Sequence, residues 1–179
     1  MGENDKKISF NIALIGFMGT GKSTIAACMH TLYGMEVVEM DSLIEKREGM
    51  SIPEIFEKYG EEHFRNLETS LLIELQGKKN VVISCGGGTP LRKKNVSIMR
   101  KTGKVVLLTA KPESILERVG ENHDRPLLEG NKNVSFIEEM LKKRKDRYEA
   151  AADLIVATDG RTKEEICDEI IEKVLELKR

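Results

Sequence analysis

A chain of 179 residues with 33% charged and 40% hydrophobic residues has the composition of one globular domain that is long enough to bury a core. Its net charge of -1 does not predict nucleic-acid binding, no apolar run reaches the length of a membrane span, and the polar residues 1–7 do not resemble a signal peptide. Cys28, Cys85 and Cys167 are far apart and are expected to be reduced thiols of a cytoplasmic protein. The histidines lack metal-ligand spacing, so no zinc site is expected.

Apolar runs of strand length recur along the chain, with helical patterns between them. The runs predict strands at residues 8–15, 36–39, 81–85, 104–109 and 153–157. This alternation is typical of βαβ units, in which helices cover both faces of a parallel sheet. No repeat, low-complexity tract or linker-like segment interrupts the pattern, so we expect one doubly wound α/β domain over residues 1–179.

The first predicted strand leads into the sequence GFMGTGKS at residues 16–23, and a predicted helix at residues 23–33 follows. This is the phosphate-loop pattern, in which backbone N–H groups and the positive end of a helix dipole surround a phosphate. Lys22 is expected to reach the β- and γ-phosphates, and the Ser23 hydroxyl to take one position on Mg²⁺. The alternative is an ordinary glycine-rich turn with a surface lysine. Because strand, loop and helix are all present, we expect a nucleoside triphosphate site.

Two acids, Glu39 and Asp41, end the second predicted strand at alternating positions and should share one of its faces. In an open α/β sheet the ligand crevice lies beyond the carboxyl ends of the strands, so both acids are expected beside the phosphate loop. In the alternative interpretation they are a solvated strand end and the N-cap of a helix at residues 42–48.

The next two helices are predicted at residues 51–59, which begin with capping-box spacing, and at residues 61–76, which carry one apolar stripe. Arg65 lies at the edge of that stripe, and Glu68 lies one turn further on. Taken alone, these two residues could form an ordinary ion pair on the surface of the helix.

Three successive glycines at residues 86–88, here called the glycine platform, follow the buried-strand pattern of residues 81–85. Glycines at the carboxyl end of a strand let the backbone approach a ligand closely. A flexible turn is the alternative interpretation. Further helices are predicted at residues 91–101 and 112–119.

Residues 120–132 are polar and contain glycine, apart from the sequence RPLL at residues 125–128. Loops of this length inside a compact domain are often active-site lids. An arginine on a lid, here Arg125, can supply positive charge to a phosphoryl group during its transfer. An inert surface loop would have the same composition.

The helix predicted at residues 134–151 carries Arg144 on its apolar stripe, between Leu141 and Tyr148. A guanidinium on an inward face needs an anionic partner, which is either an internal carboxylate or a ligand. The residues leave both possibilities open. A final helix is predicted at residues 162–177.

Together these features resemble the shikimate kinase family over essentially the whole chain. Many families share the phosphate loop, whereas the order and spacing of Asp41, Arg65, the glycine platform and the RPL sequence at residues 125–127 are specific. The resemblance implies a three-layer sandwich with a five-stranded parallel sheet, of the P-loop and nucleoside-monophosphate-kinase-like type, with a mobile lid at about residues 120–132. It also implies that ATP phosphorylates the 3-hydroxyl of shikimate, on the route to chorismate and the aromatic amino acids.

The resemblance also implies roles for residues on the acceptor side. Arg65 and Arg144 would hold the shikimate carboxylate, and Glu68 would orient Arg65. Asp41 would hydrogen-bond the reactive hydroxyl, as base or orienting group. A helical segment at about residues 42–77 would carry much of this side. The substrate-binding residues implied are Asp41, Arg65, Gly86, Gly87, Gly88 and Arg144.

On the donor side, the resemblance implies that Lys22 and Arg125 neutralise charge on the γ-phosphate and that Arg118 lies beside the adenine. The implied ATP-binding residues are Gly19, Thr20, Gly21, Lys22, Ser23, Thr24, Arg118 and Arg125. Mg²⁺ would accompany ATP, held by Ser23 directly and by Glu39 through water. The family usually has aspartate where this chain has Glu39, whose extra methylene alters the geometry while keeping the charge.

Two other functions fit parts of the pattern. A different small-molecule kinase, for gluconate or a nucleoside monophosphate, would share the phosphate loop, and gluconate also carries a carboxylate. A nucleotide-dependent switch protein would need a guanine-reading Asn-Lys-x-Asp motif, and the nearest match at residues 131–134 lacks the final aspartate. We expect ATP and shikimate as the only partners, with no nucleic acid and no membrane, and a cytoplasmic monomer.

Overall fold

The computed structural model describes residues 8–120 and 133–177, and it contains one five-stranded parallel sheet in the order β2-β3-β1-β4-β5. The strands are β1 Asn11–Ile15, β2 Glu36–Glu39, β3 Val81–Ser84, β4 Gly103–Thr109 and β5 Leu154–Ala157. Each overlaps one of the predicted strands. The predicted α/β class and five-stranded parallel sheet are therefore confirmed.

The helices also follow the predicted pattern closely. They are α1 Lys22–Tyr33, α2 Met40–Glu48, α3 Ile52–Tyr59, α4 Glu61–Leu75, α5 Lys93–Thr102, α6 Pro112–Val119, α7 Val134–Ala151 and α8 Lys163–Glu176, with a short 3-10 helix at Thr89–Leu91. The capping box that opens α3 is formed, since the Ser51 hydroxyl accepts from the Glu54 N–H and the Glu54 carboxylate accepts from the Ser51 N–H.

The sheet is covered on both faces because successive residues of each strand point to opposite sides. In β1, Ala13 and Ile15 join a core with α4, α5 and α7, whereas Ile12 and Leu14 join a second core with α1 and α8. All five residues of β1 are buried. Two apolar layers therefore hold the central strand, and the loop that follows it starts from a rigid base.

Several boundaries differ from the predictions by one to three residues, and two of these differences lie near the site. Helix α2 begins at Met40, whose side chain is fully buried, so Asp41 lies in the first helical turn and not on the face of a strand beside Glu39. The helix predicted from residue 91 begins at Lys93, because the 3-10 helix ends at Leu91 and Arg92 is extended.

Within the two described ranges, no helix is both long and apolar enough to cross a membrane. The predicted lid, with Arg125, lies outside the described residues.

Candidate active site

The phosphate loop connects β1 to α1 and packs closely against its surroundings. Gly16, Gly19 and Gly21 have φ values of 146°, 79° and 101°, which side chains other than glycine rarely adopt. A Cβ at Gly16 would lie 2.5 Å from the Leu108 carbonyl oxygen, and one at Gly19 would lie 2.9 Å from Val119 Cγ1. The glycines therefore satisfy both the conformation of the loop and its contacts with β4 and α6.

Two side chains at the start of α1 provide the polar groups of the loop. Lys22 Nζ donates to the carbonyl oxygens of Gly16 at 2.7 Å and Phe17 at 3.0 Å, which holds the ammonium across the loop. The Ser23 hydroxyl donates to Glu39 Oε2 at 3.0 Å. The structure thus brings the two predicted metal-binding side chains into direct contact.

Further polar groups that contact the phosphate loop follow β4 and β5 in the chain. Arg118 Nη1 donates to the Gly19 carbonyl oxygen at 3.0 Å and to Thr158 Oγ1 at 3.2 Å. The buried Thr158 hydroxyl lies 3.0 Å from the Thr20 carbonyl oxygen. Arg118 and Thr158 therefore join the phosphate loop to the last strand, and sequence reasoning missed Thr158 because no local pattern marks it.

Asp159, in the turn that follows β5, has a defined environment. Its carboxylate accepts from the Lys111 N–H at 3.0 Å. Burial acts to raise the pKa of this carboxyl, but hydrogen bonds from Ser114 and from the Lys111 N–H outweigh burial and lower the pKa below its ordinary value. The turn is therefore anchored to the start of α6.

At the glycine platform, Gly86 lies against two carboxylates. A Cβ at Gly86 would lie 2.8 Å from Asp41 Oδ1 and 3.0 Å from Glu68 Oε2. A side chain larger than hydrogen would displace one of the two acids. The first glycine of the platform thus allows α2 and α4 to bring their acids to the end of β3.

Arg65 lies over the third glycine of the platform. A Cβ at Gly88 would lie 2.5 Å from Arg65 Cζ. Arg65 Nη1 donates to Glu68 Oε1 at 2.7 Å, and the Glu68 side chain is fully buried. Burial acts to lower the pKa of Arg65, but the nearby charges of Glu68 and Glu61 outweigh burial and raise it, so the guanidinium remains charged.

Arg144 reaches the platform from α7. Its Nη1 donates to the Tyr148 hydroxyl at 3.2 Å, and its Cζ lies 5.7 Å from the centre of the Phe17 ring. The Tyr148 hydroxyl in turn donates to the Gly87 carbonyl oxygen at 2.7 Å. Burial raises the pKa of this phenol, which therefore stays protonated as a donor.

Among the described residues, no carboxylate lies within 4.0 Å of Arg144, so the internal salt bridge considered above is not found there. A Cβ at Gly87 would lie 3.3 Å from Arg144 Nη1 and 3.9 Å from the Gly16 carbonyl oxygen. The platform thus borders both Arg144 and the phosphate loop. An anion could bridge the guanidinium and backbone groups here.

Behind the platform lies a buried polar network that sequence reasoning missed. Its members are Thr69, Thr89 and Asn95, which are 6%, 0% and 0% exposed. One signal was available for Asn95, because it lies three and four residues before the buried Ile98 and Met99 of α5 and so shares their inward face.

The donor set suits Mg²⁺ better than a metal held by protein alone. No cluster of three or more His, Cys, Asp or Glu side chains with metal-binding geometry occurs in residues 8–120 and 133–177. Mg²⁺ commonly takes one or two protein oxygens and completes its shell with phosphates and water. The Ser23 hydroxyl and the Glu39 carboxylate fit that pattern.

A cleft of about 770 Å³ lies elsewhere, between the 3-10 helix, α5 and α7. None of the predicted site residues lines it. The candidate site is therefore defined by converging polar groups and not by the size of a cavity.

The chain is similar to known shikimate kinases over most of its length. The family model for shikimate kinase matches residues 18–175. A shikimate kinase of Caldanaerobacter subterraneus subsp. tengcongensis is 42% identical over 168 residues, covering 94% of this chain and 98% of that protein. One from Thermodesulfovibrio yellowstonii is 40% identical over 163 residues, covering 91% and 94%.

Solved structures show the same likeness. Shikimate kinase from Acinetobacter baumannii, in complex with shikimate, superposes with a TM-score of 0.88 at 33% identity, covering 96% of each chain. The enzyme from Aquifex aeolicus gives a TM-score of 0.77 at 37% identity, covering 93% of this chain and 96% of that one. A gluconokinase from Sinorhizobium meliloti shares only the fold, with a TM-score of 0.61 at 16% identity and coverage of 96% and 95%.

Proposed function

The chain belongs to the shikimate kinase family, whose members use ATP to phosphorylate an alcohol group of shikimate, and from this premise we propose how its own residues carry out the reaction. The transfer goes from the γ-phosphate of ATP to the 3-hydroxyl of shikimate. The observation that carries the proposal is that Asp41, Arg65 and Arg144 all approach the glycine platform, which also borders Gly16 of the phosphate loop.

On the donor side, the N–H groups of the phosphate loop and the start of α1 bind the phosphates. Lys22 leaves its carbonyl partners for the β- and γ-phosphates, where its charge offsets the charge that develops during transfer. Ser23 would hold Mg²⁺ directly and Glu39 would hold it through water, and the ion would supply positive charge that neutralises the phosphates. Arg118 lies beside the adenine.

On the acceptor side, Arg65 and Arg144 hold the carboxylate of shikimate, and backbone groups of the platform contact its ring hydroxyls. The two arginines come from different helices, α4 and α7. Because guanidinium groups bind carboxylates with fixed geometry, two of them define the orientation of the substrate ring. The reactive hydroxyl is thereby directed towards Asp41 and the phosphate loop.

In the chemical step the 3-hydroxyl oxygen forms a bond to the γ-phosphorus while the bond to the bridging oxygen of ADP breaks. The electron pair of that bond leaves with ADP, and the hydroxyl proton passes to the Asp41 carboxylate. Most of the rate increase comes from positioning and from stabilisation of charge. We propose that Arg125, from the lid at about residues 120–132, adds positive charge when the lid closes.

We propose further that the chain acts as one kinase domain over residues 1–179. It works as a monomer in the cytoplasm, and its substrates are small molecules only.

A coupled ADP-release assay with ATP and Mg²⁺ tests the proposal over a panel of hydroxy acids that contains shikimate and gluconate. We expect ADP release that depends on shikimate and is absent with gluconate. Phosphorylation of gluconate but not of shikimate would favour the rival sugar-acid kinase. The absence of release above background with every acceptor would overturn the proposal.

A further inference from the structure

The Glu68 carboxylate is fully buried, and each of its oxygens has a partner. Oε1 accepts from Arg65 Nη1 at 2.7 Å, and Oε2 accepts from the Thr89 hydroxyl. A carboxylate that is buried away from solvent needs such partners, because an unpaired charge in a protein interior is strongly unfavourable. Thr89 thus completes the pairing that Arg65 begins.

Thr89 also joins the carboxylate to the glycine platform and to α5. Its N–H donates to the Gly86 carbonyl oxygen at 3.1 Å, and its carbonyl oxygen accepts from Asn95 Nδ2 at 2.9 Å. Asn95 Oδ1 accepts from the Thr69 hydroxyl at 2.7 Å. Thr69 directly follows Glu68 on α4, so these hydrogen bonds close a ring. The members of this ring are Glu68, Thr89, Asn95 and Thr69.

Arg65 is held between two carboxylates. On one side the guanidinium meets the buried Glu68, and on the other its Nε and Nη2 meet Glu61 at 3.4 and 3.2 Å. The Glu61 side chain is 66% exposed, and exposed ion pairs hold geometry weakly. The location of the guanidinium against Gly88 therefore depends on Glu68 and on the residues that hydrogen-bond the Glu68 carboxylate.

We propose that Thr89 and Asn95 are positioning residues, which fix Glu68 and through it hold Arg65 where it binds the carboxylate of the acceptor. The inference rests on the proposed function, in which Arg65 contacts shikimate. The carboxylate is remote from the reacting hydroxyl, so a displaced Arg65 weakens acceptor binding more than it slows the chemical step. The ring residues contact none of the phosphate-loop side chains described above, so ATP binding should be unaffected.

The test compares Thr89→Val, which removes the hydroxyl at nearly constant volume, with Thr89→Ser, which keeps it. Loss of a hydrogen bond to a charged group predicts a rise of about tenfold or more in KM for shikimate for the valine variant. The KM for ATP should stay unchanged, and kcat should fall less than KM rises. The serine variant should restore most of the wild-type KM.

A double-mutant cycle separates positioning from general destabilisation. In an Arg65→Ala background, Thr89→Val should give little further increase in KM for shikimate, because the group that it positions is already absent. An equal increase in both backgrounds, or parallel increases in both KM values, would overturn the inference. If Thr89→Val does not fold, Thr69→Val removes the hydrogen bond to Asn95 at the other end of the ring and should raise the KM for shikimate by a smaller factor. An unchanged KM for shikimate would contradict the inference.

Wild-type activity in the same assay keeps the two proposals apart. A wild-type protein that does not phosphorylate shikimate would contradict the proposed function. A wild-type protein that does, with a Thr89→Val variant of unchanged shikimate KM, would contradict only the positioning roles.

Discussion

Arg65 and Arg144 approach the same glycine platform, but the protein holds them in different ways. Arg65 is paired with the buried acid Glu68. Arg144 contacts the neutral Tyr148 hydroxyl and the face of the Phe17 ring. The charge of Arg65 is thus already balanced by a carboxylate. Among the described residues no carboxylate pairs with Arg144, so its charge is available to an anion. We infer that Arg144 supplies the net positive charge for the acceptor carboxylate.

Separate replacement of the two arginines should therefore give different results. Arg144→Leu should raise KM for shikimate by about 10- to 100-fold, the range for a lost charged hydrogen bond, with little change in the free energy of unfolding. Arg65→Leu should also raise this KM, and it should lower the free energy of unfolding by about 3–5 kcal/mol because Glu68 is left buried and unpaired. Steady-state kinetics and urea unfolding measure both effects.

Arg147→Leu is the matched control, since this arginine lies one turn from Arg144 on α7 and is exposed. It should leave KM and stability near wild type. Equal destabilisation by Arg65→Leu and Arg144→Leu would contradict the distinction between the two arginines.

Asp41 should matter for turnover and not for nucleotide binding. It adjoins Gly86 of the glycine platform, where we propose that the acceptor binds. Asp41→Asn keeps the size of the side chain but removes the proton acceptor, so kcat should fall by about 100- to 10,000-fold, the usual range for a general base. The Kd for an ATP analogue should be unchanged, and Glu48→Gln on the same helix should leave both quantities unchanged. Loss of nucleotide binding together with kcat would remove Asp41 from the acceptor side.

At the scale of elements, the glycine platform is where α2 and α4 meet the end of β3. Gly86→Ala would place its Cβ 2.8 Å from Asp41 Oδ1 and 3.0 Å from Glu68 Oε2. Because a carboxylate must move, we expect a lower kcat and a higher KM for shikimate, with ATP binding retained.

Gly77→Ala is the matched control for Gly86→Ala. Its Cβ would lie 3.7 Å from the Glu74 carbonyl oxygen, which is an ordinary contact, so activity should be unchanged. Kinetics of both variants check the prediction. Wild-type kinetics for Gly86→Ala would show that the two acids do not depend on a glycine at this position.

The elements themselves could be predicted because their signals are local. Each signal lies within a few neighbouring residues, as in the apolar run of β3, the apolar stripe of α7 that includes Arg144 and the capping box of α3. The start of α2 could not be predicted from local patterns, because burial of Met40, a tertiary effect, favours a helix that begins directly after β2. The bond between Thr89 and Glu68 joins residues 21 apart, and no local pattern indicates it.

At the scale of the whole molecule, the order of the strands separates the two halves of the site. β1 lies between β3 and β4, so the phosphate loop has the glycine platform on one side and the Arg118 segment on the other. Periodicity predicts that strands exist but carries no information about which strands are neighbours. This arrangement therefore could not be predicted from the sequence. The role of Arg125, which lies outside the described residues, stays a prediction.

Because the groups proposed for the donor and for the acceptor come from opposite sides of the phosphate loop, the two ligands should stabilise the protein through separate residues. A ligand at 100 times its Kd adds about 2.7 kcal/mol to the free energy of unfolding, or roughly 5–10 °C in Tm for a domain of this size. An ATP analogue with Mg²⁺ should give this shift in wild type and in Arg144→Leu, but not in Lys22→Ala. Shikimate should give it in wild type and in Lys22→Ala, but at the same concentration not in Arg144→Leu.

Lys94→Ala, which replaces an exposed lysine of α5, is the control and should respond to both ligands. Differential scanning calorimetry of the four proteins with each ligand measures the pattern. Loss of both shifts in either variant would mean that the two halves of the site are coupled and that one cannot form without the other. The crossed pattern requires that each half is held in place by the fold before its ligand arrives, as the buried β1 and the hydrogen-bonded platform imply.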